Sequence, residues 1–140
     1  MEKARPPITP QQIDNLRAEA RGARDAAYCP YSNFSVGAAA LCSDGSIFRG
    51  CNVENASYGL TVCAERSAIF AAVSAGHIDI VAIALVSSAI KLARPCGACR
   101  QVIAEFSSAI APITVISESL GGEHVVETLA DLLPGQFTLL

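Results

Sequence analysis

Residues 80–86, Ile-Val-Ala-Ile-Ala-Leu-Val, form the longest purely apolar run of the chain. The run is far shorter than the ~18 residues that span a bilayer, and it is typical of a strand covered on both faces. Helical apolar spacing precedes it from Cys63 to Ala75 and stops at Gly76, and Pro95 opens a second predicted helix that ends near Phe106. A buried strand between two helices predicts an α/β fold.

The flanking segments extend this alternation to both ends of the chain. Thr9, Pro10 and Gln12 form a helix start signal, and an apolar stripe follows it. The other predicted elements are strands at 34–41 and 47–53 around an Asp44-Gly45 turn, a strand at 112–116, an edge strand at 125–126, and a helix at 128–133 before Pro134. With the first helix ending at Pro30, the order αββαβαββα predicts one domain over 1–140. We expect three layers, α/β/α, around a mixed sheet of about five strands.

Composition excludes several classes of function. The 140 residues carry 13 acidic and 10 basic side chains, and the Lys and Arg are scattered, which disfavours a nucleic-acid partner. Residues 1–7 hold no apolar stretch of signal-peptide length, so we expect a cytoplasmic protein without a membrane segment. Hydrophobic residues make up 51% and charged residues 16%, against ~25% charged in typical domains. This excess predicts a subunit interface.

Two short motifs carry the chemistry: Cys63-Ala64-Glu65 and Pro95-Cys96-Gly97-Ala98-Cys99. Each is predicted at a helix start, where free N–H groups and the helix dipole favour thiolates. Cys63 should occupy the first helical position, because two residues along a regular helix Cys63 and Glu65 would point nearly opposite ways. Three thiolates without a fourth protein ligand are typical of a catalytic zinc that keeps a position for water. Glu65 is then the candidate proton carrier.

Other interpretations of these residues stay open from the pattern alone. The Cys96/Cys99 pair also suits a thioredoxin-like redox pair or half of a structural zinc site closed by His77 or His124. Both histidines follow glycines, so we expect solvated loop residues. The remaining cysteines, Cys29, Cys42 and Cys51, are expected to pack as small apolar residues.

Taken together, five blocks of sequence resemble the small, homotetrameric cytidine deaminases. The blocks are YSNFSVGAA at 31–39, GCNVENASYG at 50–59, CAER at 63–66, PCGACRQ at 95–101, and LLP at 132–134 with Phe137. The resemblance implies one zinc per chain on Cys63, Cys96 and Cys99, with Glu65 as the catalytic residue. It implies that hydroxide formed at the zinc attacks C4 of cytidine or 2′-deoxycytidine. The products are the uridine nucleoside and ammonia, a reaction of pyrimidine salvage.

The resemblance also implies contacts to the substrate. Phe34 would pack on the nucleoside near the base, Asn52 and Glu54 would bind the ribose 3′-hydroxyl, and the backbone of Ala64 would meet the amide edge of the pyrimidine. By pattern alone, Phe34 is also typical of a core residue, and Asn52 and Glu54 of polar strand ends.

Three further residues are implied at the edge of the site. Tyr58 and Phe137 would help to build it at a subunit boundary, although a C-terminal Phe is also a common core anchor. Arg66 would bond the thiolates and offset the negative charge of a zinc with three thiolates, the alternative being an exposed helix arginine. Two other functions stay open: a deaminase of a nucleoside antibiotic of the blasticidin S type, which the Asn52-Val53-Glu54 block disfavours, and a structural zinc module.

Overall fold

The computed structural model describes residues 4–139, so residues 1–3 and 140 of the predicted domain lie outside the described part. Its helices and strands follow the predicted order. They are α1 Pro10–Arg24, β1 Val36–Cys42, β2 Ile47–Cys51, α2 Ala64–Ser74, β3 Ile80–Ser87, α3 Gly97–Glu105, β4 Thr114–Glu118, β5 His124–Thr128 and α4 Leu129–Leu132, with a 3₁₀ turn at Tyr58–Leu60. Among residues 4–139, no helix has both the length and the apolar character needed to cross a membrane.

The strands form one five-stranded sheet in the order β2-β1-β3-β4-β5. The β3–β4 pair is parallel, and the other three pairs are antiparallel. The parallel pair requires a crossover, which α3 provides, whereas β1 and β2 need only the short turn at Asp44-Gly45. The prediction of a mixed sheet of about five strands is therefore confirmed.

Side chains of the central strands alternate between two cores. Ala39 and Leu41 of β1 pack with α1 on one face, while Ala38 and Ala40 pack with α2 and α3 on the other. Both faces of β1 and β3 are thus buried, which explains their nearly continuous apolar sequences. The three-layer α/β/α prediction is confirmed.

Two glycines allow the helices to lie close to the sheet. A Cβ on Gly37 of β1 would lie 2.0 Å from the carbonyl oxygen of Ala20 in α1, and one on Gly50 of β2 would lie 2.2 Å from the backbone nitrogen of Ala68 in α2. No side chain fits at either position. The close approach at Gly50 matters for the site because α2 carries its first residues.

Several predicted boundaries were wrong by a few residues. Helix α1 ends at Arg24 instead of Pro30, because the backbone of Tyr28 leaves the helix to exchange hydrogen bonds with Asn52 and Glu54. Strand β4 is displaced two residues toward the C-terminus, to where Thr114 pairs with Ala82 of β3. Strand β5 is longer than predicted because its five residues all pair with β4.

Candidate metal centre and substrate cavity

The two metal-binding motifs lie at the N-terminal ends of α2 and α3. Cys63 and Cys96 are the N-cap residues, with extended backbone (φ −72°, ψ 155° and φ −68°, ψ 170°), and neither sulfur caps its helix. The prediction that Cys63 is the first helical residue, and the one that Pro95 opens α3, are therefore corrected. Because Cys63 has extended backbone and precedes the helix, its side chain does not have to point away from that of Glu65, as it would if both residues were helical.

The three predicted ligands lie together. The Sγ atoms of Cys63, Cys96 and Cys99 are all within 4.8 Å of one another, and those of Cys63 and Cys96 are 3.8 Å apart. A tetrahedral zinc with Zn–S bonds of about 2.3 Å needs sulfurs about 3.8 Å apart, so the donor set fits this ion. Among residues 4–139, this is the one group of three such side chains close enough to share a metal.

Neither histidine joins this group. The ring of His77 packs against Phe48 with centroids 5.0 Å apart, and its Nδ1 lies 3.5 Å from a carboxylate oxygen of Asp44. His124 is exposed but lies in β5 opposite Glu118, so its predicted loop position was wrong. The histidine-closed alternative for a structural zinc site therefore finds no support, because within residues 4–139 the potential metal ligands that come together are the three cysteines.

The other three cysteines are free thiols away from the centre. Cys42 is buried in the core between the sheet, α2 and α3, as predicted. Cys29 and Cys51 are half-buried, and the thiol of Cys51 donates to the carbonyl of Ala26 at 3.5 Å.

The centre is prepared for negative charge even without metal. The Cys63 thiolate accepts hydrogen bonds from Cys99, from Arg66 and from Cys96, which lowers the pKa of Cys63 to about 5. The same bond with Cys63, together with burial, raises the pKa of the Cys99 thiol. Nη2 of Arg66 lies 3.4 Å from the sulfur of Cys63, and Nε is buried without a protein partner. Arg66 thus contacts the sulfur of Cys63, and its role in offsetting the charge of the centre stays a prediction.

Glu65 is the second residue of α2 and is buried. Burial raises the pKa of its carboxyl, a backbone hydrogen bond opposes this, and the neighbouring Cys63 thiolate raises the pKa further. A raised pKa means that this carboxyl holds a proton more readily than an exposed one does. Its role as proton carrier stays a prediction.

A cavity of about 370 Å³ joins the metal centre to the predicted nucleoside contacts. Seven residues that the sequence singled out border it: Phe34, Asn52, Glu54, Cys63, Ala64, Glu65 and Cys96. Sequence reasoning did not assign Ser32, Thr61, Ser87 or Arg94, which border it too. Ser32 lies inside the block at 31–39, and Arg94 directly precedes the block at 95–101. Their closeness to these blocks is the feature of the sequence that could have indicated a place beside the cavity.

Asn52 and Glu54 are both held by backbone groups. The side-chain amide of Asn52 donates to the carbonyl of Phe34 at 2.7 Å, and its oxygen accepts from the N–H of Val36 at 2.9 Å. Oε1 of Glu54 accepts from the N–H groups of Tyr31 and Ser32, and Oε2 accepts the Ser32 hydroxyl. The hydrogen bonds from Ser32 and Tyr31 outweigh desolvation and lower the pKa of Glu54. Each side chain keeps hydrogen-bonding capacity for a ligand.

Two predicted contacts, Tyr58 and Phe137, do not border this cavity. Their exposed fractions are 83% and 68%. Tyr58 lines a neighbouring cavity of about 340 Å³ that shares Ser32, Glu54 and Thr61 with the first. Phe137 is fixed through its carbonyl, which accepts from the side-chain amide of Gln101 at 3.2 Å. A single chain therefore leaves both aromatic rings available to another molecule.

Three cysteine sulfurs that can hold zinc, beside a buried carboxyl at the N-terminal ends of two helices packed on a mixed sheet, are features of zinc-dependent hydrolytic deaminases. Residues 10–115 match the family described as the cytidine and deoxycytidylate deaminase zinc-binding region, and the chain belongs to this family. The zinc is bound by Cys63, Cys96 and Cys99.

Individual relatives agree with this assignment. The chain is 54% identical to a cytidine deaminase of Halalkalibacterium halodurans over 123 residues, 88% of this chain and 92% of the relative. The crystal structure of a cytidine deaminase from Burkholderia pseudomallei superposes with a TM-score of 0.83 at 47% identity, covering 89% of this chain and 98% of that one. A blasticidin-S deaminase of Bacillus cereus is 32% identical over 111 residues, 74% of this chain and 76% of the relative.

Proposed function

We propose that this chain deaminates cytidine and 2′-deoxycytidine hydrolytically, giving uridine or 2′-deoxyuridine and ammonia. The observation that carries the proposal is the single cavity that has the metal ligands and Glu65 at one end and Phe34, Asn52 and Glu54 elsewhere on its wall. The names of relatives at 54% and 47% identity support the same substrate class.

The residues at the metal end divide the chemical work. Bound zinc supplies a Lewis acid that lowers the pKa of a water molecule to about 7, so that hydroxide is available at neutral pH. With zinc held there, Glu65 would take a proton from the water as its oxygen adds to C4 and would pass that proton to N3 of the pyrimidine; it would then carry the proton of the new C4 hydroxyl to the 4-amino group, which would leave as ammonia. Arg66 balances the negative charge of the thiolates, as its contact with Cys63 supports.

The other walls recognise the nucleoside. The ring of Phe34 offers an apolar surface near the base, and the backbone of Ala64 meets the amide edge of the pyrimidine. Glu54 and Asn52 bind the 3′-hydroxyl, the carboxylate accepting and the amide donating, with the capacity that their backbone contacts leave free.

The proposal includes a homotetramer of single-domain chains, with Tyr58 and Phe137 contributing to a site at a subunit boundary. Their exposure and the 51% hydrophobic composition support it. Light scattering at working concentration should give four times the chain mass of 14.5 kDa. A stable, active monomer would reject both the tetramer and the boundary role of the two rings.

The decisive assay follows the ultraviolet absorbance of cytidine during its conversion to uridine. Turnover should be present with zinc, absent after chelation, and restored by zinc. Blasticidin S serves as the comparison substrate. The proposal fails if cytidine is unchanged while blasticidin S is deaminated, or if metal-free protein is fully active.

A further inference from the structure

Two arginines connect the segment 94–96, which carries Cys96, to β5 and α4. Nε of Arg94 donates to a carboxylate oxygen of Glu127 in β5 at 2.8 Å. Nε of Arg100 donates to the carbonyl of Pro95, and Nη1 of the same guanidinium donates to the carbonyl of Leu132 in α4, both at 2.7 Å. Both connections come within two residues of Cys96 on its N-terminal side.

Cys96 depends on these contacts more than the other ligands do. Cys99 is buried within α3, and the sulfur of Cys63 accepts a hydrogen bond from Arg66. Cys96 is exposed, lies before the first turn of α3 and has no bond that caps the helix. Its position is therefore set by the backbone on which it sits, where the carbonyl of Cys96 accepts from the N–H of Arg100 at 2.9 Å and the preceding Pro95 carbonyl accepts from the Arg100 side chain.

The unit β5–α4 is a firm anchor although α4 has only four residues. Leu129 and Leu132 are buried in the same core as Ile103 of α3, and all residues of β5 pair with β4. This unit lies beyond residue 115, where the match to the zinc-binding family region ends.

We propose that Arg94, Arg100 and Glu127 are positioning residues for Cys96. Their contacts with β5 and α4 hold the segment 94–96 in place and thereby slow the loss of zinc. A rigid attachment acts on the metal because a ligand that drifts from its tetrahedral position opens the site to competing chelators. The inference requires the metal centre only and is independent of which nucleoside is the substrate.

The test measures the rate of zinc release from the holoenzyme to a coloured chelator, together with the melting temperature of metal-free protein. Glu127→Gln is compared with Glu19→Gln, which breaks an ion pair of similar exposure, to Arg49, in another part of the chain. Arg100→Met removes both carbonyl contacts at nearly constant volume, and Arg100→Lys keeps the charge but not the fork that joins two carbonyls.

We expect Glu127→Gln to release zinc about twofold to fivefold faster than the parent, because the ion pair is partly exposed, and Glu19→Gln to release it at the parental rate. Arg100→Met should accelerate release about 10- to 100-fold, with Arg100→Lys between it and the parent. The double variant Arg94→Glu/Glu127→Arg rebuilds this ion pair with its charges exchanged, so its rate of zinc release should be close to the parental rate.

The outcome that supports positioning is faster zinc release with metal-free melting temperatures that match between Glu127→Gln and Glu19→Gln. Parental release rates in both Glu127→Gln and Arg100→Lys would overturn the proposal. Equal acceleration by Glu19→Gln would overturn it too, since the effect would then be general loss of stability. If Arg100→Met does not fold, these partial variants decide the question alone.

Discussion

Replacing Glu54 by Gln tests whether this carboxylate reads the 3′-hydroxyl of the substrate. Three donors occupy it: the N–H groups of Tyr31 and Ser32 on Oε1, at 3.0 and 3.1 Å, and the Ser32 hydroxyl on Oε2. A carboxylate has about four acceptor positions, so about one stays for a substrate hydroxyl. Gln keeps an oxygen for the backbone donors, whereas Ala would leave Tyr31 and Ser32 without their acceptor and disturb the loop.

The structure also sets the size of the effect. A site built around a substrate hydroxyl rejects analogues without it by ~10⁴-fold or more when the orphaned group is buried and unpaired. Glu54 is only half-buried and keeps its three donors when the hydroxyl is absent, so its charge is never left unpaired. We therefore expect 3′-deoxycytidine to lose about 10- to 100-fold in kcat/KM against cytidine, which corresponds to one hydrogen bond to a charged group.

The measurement compares kcat/KM for parent and Glu54→Gln on cytidine and on 3′-deoxycytidine. The variant should lose about tenfold or more on cytidine and about twofold or less on 3′-deoxycytidine, which lacks the bond in question. Ser32→Ala is the matched control, since it removes one donor to Glu54 but leaves the carboxylate, and should affect both nucleosides equally. If Glu54→Gln lowers both values by one common factor, the carboxylate only organises residues 31–32 and another group reads the hydroxyl.

Three further outcomes follow from the geometry. Cys99→Ala should lose zinc and activity together, as metal analysis beside the absorbance assay would show; a zinc-free variant with parental turnover would contradict the ligand assignment. Glu65→Gln should keep its zinc but lose at least about 100-fold in kcat, since only the proton carrier is removed, and near-parental kcat would move the proton transfer elsewhere. Glu118→Gln should cost about 3 kcal/mol of unfolding free energy at pH 7, because it leaves Arg17 and Arg21 without their buried carboxylate.

The last of these effects depends on pH in a defined direction. Burial alone would raise the pKa of Glu118, but hydrogen bonds from Arg21 and Arg17 outweigh it and leave the pKa below its ordinary value. The carboxylate therefore stabilises the fold above about pH 4.3, the value expected of the unfolded chain, and this contribution is lost as the pH falls through the lower folded-state pKa. Urea unfolding in the presence of a chelator should show that the difference in unfolding free energy between the parent and Glu118→Gln shrinks as the pH falls. If that difference is unchanged at low pH, the ionised carboxylate is not its source.

Local signals explain why so much of the site could be predicted. The Cys63 and Cys96 motifs lie at helix starts that are recognisable from short stretches, and the apolar run 80–86 separates them by a single buried strand. Helix starts that follow strands often lie at one edge of a sheet, so the element order is compatible with the convergence of the three cysteines with Glu65, which the sheet order then brings about. The N-cap positions of Cys63 and Cys96 needed the backbone angles, which sequence spacing leaves undetermined within a residue or two.

Contacts between distant charges were not predictable. Glu118 is separated by 101 residues from Arg17 and by 97 from Arg21, and its sequence neighbours do not distinguish it from an exposed strand-end carboxylate. The sequence neighbours of Arg94 and Glu127 likewise give no sign that these two residues form an ion pair. Such pairs depend on which strand lies beside which, information that appears only when the sheet order β2-β1-β3-β4-β5 is known.

The position of β3 between the two metal-binding motifs has a consequence for when the ion is acquired during folding. In an unfolded chain, Cys96 and Cys99 are near each other, but Cys63 reaches them only by closing a loop of 33 residues. Pairing of β3 with β1 and β4 helps to bring α2 and α3 together, so the sheet and not the ion alone offsets the cost of closing that loop. We therefore expect a chain made without zinc to fold into apoprotein that can still bind the metal, and zinc to add stability to a fold that forms without it.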